Sequence, residues 1–207
     1  MGGLCDTHRR ISRGAVIEFF DSLAPGWDDE IVVDRRKIND ILDRAGIKQG
    51  VRVLDVACGT GVLFPFYMER GVESVTAVDI SREMAKIAAS KAADGIRVVC
   101  GDIEEMRGTG DYDCCVVYNA FPHFPEPERL ICGLAEWLKP GGRLTVAHSM
   151  SISQLNRHHA RRAASVSRGM MTAQELKEVF ELRFAVDTEI SDDEKYIVSG
   201  TVRPAEA

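Results

Sequence analysis

The sequence has no apolar run approaching the ~18 residues that cross a bilayer, so no membrane-spanning helix is expected. Its opening residues, MGGLCDTHRRISRG, lack the apolar core of a secretory leader. The cysteines Cys5, Cys58, Cys100, Cys114, Cys115 and Cys132 form no C-x-x-C pair and lie scattered through apolar runs. That argues against a disulfide framework and for a reduced, cytoplasmic chain. The histidines show no H-x-x-x-H and no mixed Cys/His spacing, so no metal site is expected. Positive charge is not in excess either. The 26 Lys and Arg stand against 32 Asp and Glu, and a net charge of −6 argues against a general nucleic-acid binder. Acid is itself missing from one stretch: between Glu136 and Glu175 there is no Asp or Glu, while Lys139, Arg143, Arg157, Arg161, Arg162 and Arg168 all fall there. The sequence reads as an acidic body with one basic region.

What is present suits one globular domain: 207 residues, 45% apolar and 28% charged. No internal repeat or low-complexity tract occurs. Short β-rich apolar runs alternate with amphipathic segments, the pattern of βαβ units around a mainly parallel sheet. Five such runs lie at 51–56, 74–79, 96–101, 113–118 and 143–148. Two more, at 183–190 and 195–202, flank the turn Ser191-Asp192-Asp193-Glu194, which is short enough to make them antiparallel. The fold class expected is α/β: a doubly wound, Rossmann-like seven-stranded sheet, mostly parallel, with an antiparallel C-terminal pair and a helical N-terminal prelude. Helices are expected over 62–70, from an N-cap at Ser81 to about Ala92, over 126–138, and from the capping box Thr172-Ala173-Gln174-Glu175 to about Leu182. Ahead of the first strand, Ile31, Ile38, Ile41, Leu42 and Ala45 share one helical face. Residues 1–45 are too few to bury a core alone.

The strongest chemical signal is Val53-Leu54-Asp55-Val56-Ala57-Cys58-Gly59-Thr60-Gly61, a strand running into a Gly-x-Gly turn that opens a helix. Glycines there let a ligand approach the backbone closely. The next strand ends in Asp79, an acid placed to accept hydrogen bonds from both hydroxyls of a ribose. A dinucleotide fingerprint wants a third glycine where this chain has Phe64, and no Gly-Lys-Ser/Thr marks a phosphate loop. A nucleoside without phosphates fits better, and Asp55, just before the turn, suits a ligand carrying an ammonium group.

These residues resemble the class I S-adenosylmethionine-dependent methyltransferases, most of all the ubiquinone/menaquinone C-methyltransferase-like branch. The likeness runs through Phe20-Asp21-Ser22-Leu23-Ala24-Pro25-Gly26-Trp27-Asp28, the VLDVACGTG block, Ala77-Val78-Asp79-Ile80-Ser81 with Met84, and Gly101-Asp102-Ile103. It continues through residues 118–127 and Leu138-Lys139-Pro140-Gly141-Gly142. The resemblance implies an N-terminal helical cap segment over 1–45 and a methyltransferase domain over 46–207, with a basic insertion at about 149–171. It implies S-adenosylmethionine as cofactor, with Asp55, Ala57, Gly59, Thr60 and Gly61 around the methionine moiety and Asp79 on the ribose. Ile80 and Met84 would stand beside the adenine, Asp102 would take its amino group, and Ile103 would pack on its ring. Asn119 would sit near the transferring methyl, and Trp27 would close the site or pack in the core.

The acceptor side is less legible. His123, past the fourth strand, is a candidate general base or a loop-shaping residue, and Tyr118 a hydrogen-bond donor or a packing residue. His148 ends the fifth strand at the same edge. In the insertion, Arg157, His158, His159 and Arg161 form a lid that receives an anionic small molecule, or else a solvated helix face paired with Asp187, Glu189 and Asp192–Glu194. Two other readings stay open: a catalytically silent S-adenosylmethionine-binding or regulatory module, and an NAD-dependent oxidoreductase, which Phe64 disfavours. The oligomeric state is not legible.

Overall fold

The computed structural model describes residues 11–204, apart from the side chains of 158–162. One sheet holds seven strands: β1 Arg52–Val56, β2 Ser74–Asp79, β3 Ile96–Cys100, β4 Tyr112–Tyr118, β5 Leu138–His148, β6 Phe184–Ser191 and β7 Tyr196–Val202. Their spatial order is β3-β2-β1-β4-β5-β7-β6. β7 is antiparallel to both its neighbours and every other pairing is parallel. This is the doubly wound α/β sheet expected, antiparallel pair included. The chain builds outward from β1 to β3, then returns to build from β4 toward β5. The carboxyl ends of β1 and β4 therefore flank the crevice where such sheets bind ligands.

The helices are α1 Arg13–Leu23, α2 Trp27–Glu30, α3 Arg35–Arg44, α4 Phe64–Glu69, α5 Arg82–Lys91, α6 Pro127–Ala135, α7 Ile152–Arg162 and α8 Ala173–Phe180. One face of the sheet buries Ile38, Leu42, Phe66 and Tyr67 against Val53, Val75 and Val116. The other buries Leu130, Ile131, Leu176 and Phe180 against Leu54, Val117 and Leu144. Cys114 and Cys115 point to opposite faces of β4 and belong one to each core. Burial pushes the Cys114 thiol up to about 11, so both are packing residues.

Three boundaries differ from expectation for local reasons. Asp34 accepts the Lys37 N–H at 3.1 Å and caps α3, which leaves Ile31 in the extended link before it. Pro65 is tolerated only in a first turn, so α4 starts at Phe64 and the residues before it form turns. α6 stops at Ala135 because the following residues are drawn into the sheet. Tyr112 donates its N–H to the Trp137 carbonyl at 3.1 Å and Leu138 registers with Tyr112, so β5 begins at Leu138.

That long β5 also divides the acid-free window. Its register against β4 shifts between Leu138 and Arg143, where Lys139–Gly142 stand opposite Asp113 alone, and Arg143–His148 then runs on to the carboxyl end of the sheet. Lys139 and Arg143 lie toward its start, away from the crevice, paired with Asp113 at 2.7 Å and Asp187 at 2.6 Å. Lys139 and Arg143 are thus engaged apart from the insertion. Four of the five acids expected opposite the insertion are engaged elsewhere: Asp187 with Arg143, Glu189 with Lys177, Glu194 with Arg36, and Asp192 with the backbone of its own turn.

Candidate active site

Beyond β1 the chain turns sharply. Ala57 has φ +55°, Gly59 +55° and Gly61 +85°. The Cys58 N–H donates to the Val78 carbonyl at 3.1 Å, which ties the turn to β2. At Gly61 a Cβ would lie 2.6 Å from the Phe64 ring, so neither the conformation nor the space admits a side chain. Among the described residues, Ala57 and Asn119 alone take a positive φ without being glycine. They follow the carboxyl ends of β1 and β4, so backbone strain is concentrated at the crevice.

Two buried carboxylates meet there. Asp79 accepts the Gly59 N–H on Oδ2 at 2.7 Å and the Ser81 N–H on Oδ1 at 2.9 Å. Burial nevertheless pushes its pKa up to about 6. Asp55 is 1% exposed. Burial first, and the Asp79 charge second, push it up to about 7 against the opposing pull of the Tyr67 hydroxyl. Asp55 Oδ2 is buried without a hydrogen-bond partner among the described residues. Ionising such a pair carries a cost that a cationic or donor-rich ligand offsets. Cys58 lies in the same turn, and burial raises its thiol far above neutrality, so size rather than reactivity explains it.

The N-terminal segment lies across this turn. The Trp27 indole Nε1 is 3.9 Å from the Cβ position of Gly59. Phe20 meets Trp27 edge-on at 5.8 Å and the His123 ring at 4.8 Å. Ile80 packs in a cluster with Val16, Phe20 and Val166, whereas Met84 and Ile103 are buried. Thr60 donates its hydroxyl to Asp28 at 2.6 Å. Asp102 accepts the Glu104 N–H on Oδ1 at 2.9 Å and pairs through Oδ2 with Arg13 Nε at 2.8 Å. The reading from sequence missed Arg13, Asp21 and Asp28. Asp21 and Asp28 stand inside the block at 20–28, where a repeated acid was the available signal.

On the acceptor side, Asn119 closes the end of β4 against β5. Its Oδ1 accepts the Ser149 N–H at 2.9 Å and its Nδ2 donates to Ser149 Oγ at 3.2 Å. Burial raises the Tyr118 hydroxyl, opposed by Ser149 and Asn119, so it remains a donor. His123 Nδ1 lies 2.9 Å from the Val166 carbonyl, which must accept, so the lone pair is on Nε2. Burial lowers its pKa and keeps the ring neutral. His148 is fully buried, its ring 6.1 Å from that of Tyr196. Arg157 is exposed on α7, and the side chains of His158, His159, Arg161 and Arg162 lie outside the described residues. Among the described residues, no group of three or more His, Cys, Asp or Glu is placed to hold a metal ion. No helix among them is long and apolar enough to cross a membrane.

Residues 53–142 match the model of a methyltransferase domain family. The ubiquinone biosynthesis O-methyltransferase of Bordetella avium is 30% identical over 140 residues, covering 62% of this chain and 58% of that protein. The demethylmenaquinone methyltransferase of Renibacterium salmoninarum is 31% identical over 138 residues, covering 64% and 57%. The chain thus spans little more than half the length of these curated relatives. A solved S-adenosylmethionine-dependent methyltransferase from Aquifex aeolicus superposes with a TM-score of 0.69 at 18% identity, covering 88% of this chain and 98% of that one. The [4+2]-cyclase SpnF superposes at 0.70 with 20% identity, covering 86% and 75%, so the fold alone does not fix the reaction. Residues 53–142 are thus similar to a methyltransferase domain family, and the chain shares its fold with solved S-adenosylmethionine-dependent methyltransferases.

Proposed function

We propose that the chain transfers the methyl group of S-adenosylmethionine to a small molecule bearing an anionic group. The observation that carries this is the buried Asp55–Asp79 pair beside a turn open to close approach, an acidic seat suited to a cationic nucleoside without phosphates. Asp55 Oδ2 faces the ammonium of the methionine moiety and Asp79 the ribose hydroxyls. Gly59, Thr60 and Gly61 supply backbone surface, and Trp27 covers it. Ile80, Met84, Asp102 and Ile103 border the adenine, and Ala57 holds the turn.

The cofactor supplies an activated methyl on a sulfonium with its own leaving group. The chain's residues therefore position the acceptor in line and exclude water. Asn119, locked to Ser149, sets the edge of that space. Tyr118 donates to the acceptor oxygen, and neutral His123 takes a proton where the acceptor must lose one. His148, Arg157, His158, His159 and Arg161 stand on the acceptor side, with Arg157 available to an anion. The free cysteines, Cys100 exposed among them, fit a cytoplasmic location.

The relatives' names span quinone precursors and malonyl-[acyl-carrier protein] (the latter from Priestia megaterium), so phenolic, quinol and carboxylate acceptors form the panel to test. Calorimetry with S-adenosylhomocysteine and with NAD, then transfer of labelled methyl across that panel, tests the proposal. Micromolar binding of S-adenosylhomocysteine with methylation of an anionic acceptor is expected. Binding of NAD instead, or unchanged S-adenosylhomocysteine affinity in Asp79→Ala, refutes it. Binding without transfer to any acceptor would indicate a silent module.

A further inference from the structure

We propose that Arg13, Asp21 and Asp28 are positioning residues of the cofactor site, each fixing one of its three loops from a single N-terminal strap. The inference rests on the cofactor assignment above and extends it to residues outside the 53–142 family match. Asp28, on α2, takes the first loop: it accepts the Thr60 hydroxyl at 2.6 Å and also pairs with Lys91 at the end of α5. Asp21, on α1, takes the second, accepting the Ser81 hydroxyl and, at 3.1 Å, the Glu83 N–H. Ser81 in turn caps α5 by accepting the Met84 N–H and donates its own N–H to Asp79. One carboxylate thus acts on the loop that aims Asp79. Arg13 takes the third, pairing with Asp102 at 2.8 Å and with Glu105.

The spacing of the three residues matches the course of the chain over the crevice. Between the polar fastenings, Val16 and Phe20 pack with Ile80 of the second loop and with Ala163 and Val166 of the insertion. These contacts give the strap a fixed seat. The fastenings themselves are half-exposed, with the Arg13 side chain 37% and the Asp28 side chain 48% open to solvent. Ion pairs so exposed contribute little to global stability. Their effect falls on the loops that they hold, where a small displacement of Thr60, Asp79 or Asp102 loses several ligand contacts together.

The test measures S-adenosylhomocysteine binding by calorimetry, its release rate by stopped flow, and Tm for each variant. Losing a charge-assisted hydrogen bond that orders a loop is expected to weaken binding about tenfold in Asp21→Ala and in Asp28→Ala. Arg13→Ala should speed release with a smaller loss of affinity. Asp21→Asn, which keeps an acceptor oxygen for Ser81 and Glu83, should restore binding to within about twofold of the unsubstituted chain. Arg35→Ala removes an ion pair of similar geometry on Glu69, away from the site, and should leave affinity unchanged. Unaltered affinity and release in all three strap variants overturn the inference, as does a loss that follows Tm equally in Arg35→Ala. If the unsubstituted chain does not bind S-adenosylhomocysteine, the cofactor assignment fails and the inference falls with it.

Discussion

Replacing Asp55 by Asn keeps the shape of the side chain and removes its charge. In the folded protein the carboxyl is pushed from 3.8 to about 7, so folding works against its ionised form. At 1.36 kcal/mol per pH unit the difference is about 4 kcal/mol. The sign follows from proton occupancy. Between pH 3.8 and about 7 the folded chain keeps a proton that the unfolded chain has released, so the stability present at low pH is lost as pH rises through 7. Above that the full penalty stands, and Asn carries none of it. The Asn amide, buried at an atom that meets no partner among the described residues, has a cost of its own of about 1–3 kcal/mol, so about 2 kcal/mol is the expected gain for Asp55→Asn at pH 8. At about 2–4 °C per kcal/mol for a chain of this length, Tm should rise by about 4–8 °C. At pH 5, a little over one unit above 3.8, only about 1.6 of the 4 kcal/mol has been lost, so the gain should shrink to less than half of that at pH 8. The same substitution removes the acceptor for the ligand ammonium. Saturating S-adenosylhomocysteine at 100 Kd stabilises the unsubstituted chain by about 2.7 kcal/mol, and most of that should vanish in the variant. Melting curves at pH 5 and pH 8, with and without ligand, decide it. A variant less stable than its parent at pH 8, or a gain equal at both pH values, would refute the account of Asp55 as a destabilised, ligand-seeking charge.

Affinity for S-adenosylhomocysteine should climb between pH 5 and pH 8 as Asp79, at about 6, and Asp55, at about 7, ionise. Calorimetry in buffers of different ionisation enthalpy should show proton release near pH 6.5, roughly midway; a flat profile contradicts it. Gly61→Ala forces a side chain into the left-handed region and onto the Phe64 ring, and should cost about 2–4 kcal/mol in denaturant unfolding. A loss below about 1 kcal/mol would show that Phe64 yields easily. His123→Ala removes the bond to the Val166 carbonyl and the edge contact with Phe20. It should destabilise by about 1–3 kcal/mol and quicken amide exchange over 163–168, and protection unchanged there would count against a tie between insertion and crevice.

The strands and the cofactor turn were legible because their physics is local. An apolar run covered on both faces, a Gly-x-Gly turn and a strand-end acid each announce themselves within a few residues. Ser81 and the Thr172–Glu175 box were readable for the same reason, and each cap is formed as expected. Charge was harder to read. The cations from Lys139 to Arg168 adjoin in sequence, but β5 carries Lys139 and Arg143 far from α7, where Asp113 and Asp187 meet them. Long-range pairs of this kind leave no mark in periodicity. The links from Asp21 to Ser81 and from Arg13 to Asp102 were hidden likewise, since they join residues separated by 60 or more positions. Ile31 misled because it repeats the spacing of α3 one turn too early, and only the Asp34 cap reveals where the helix begins.

The place of β7 between β5 and β6 bears on how the chain is made. A sheet interior normally forms from segments already synthesised, but here an inner strand follows all the others in sequence. Until Val202 has left the ribosome, β5 presents a bare edge along Arg143–His148 and β6 has no partner. During translation that edge, with buried Leu144, Val146 and Ala147 upon it, is open to strands of neighbouring nascent chains. The time spent synthesising the last strand therefore sets how long that edge stays open.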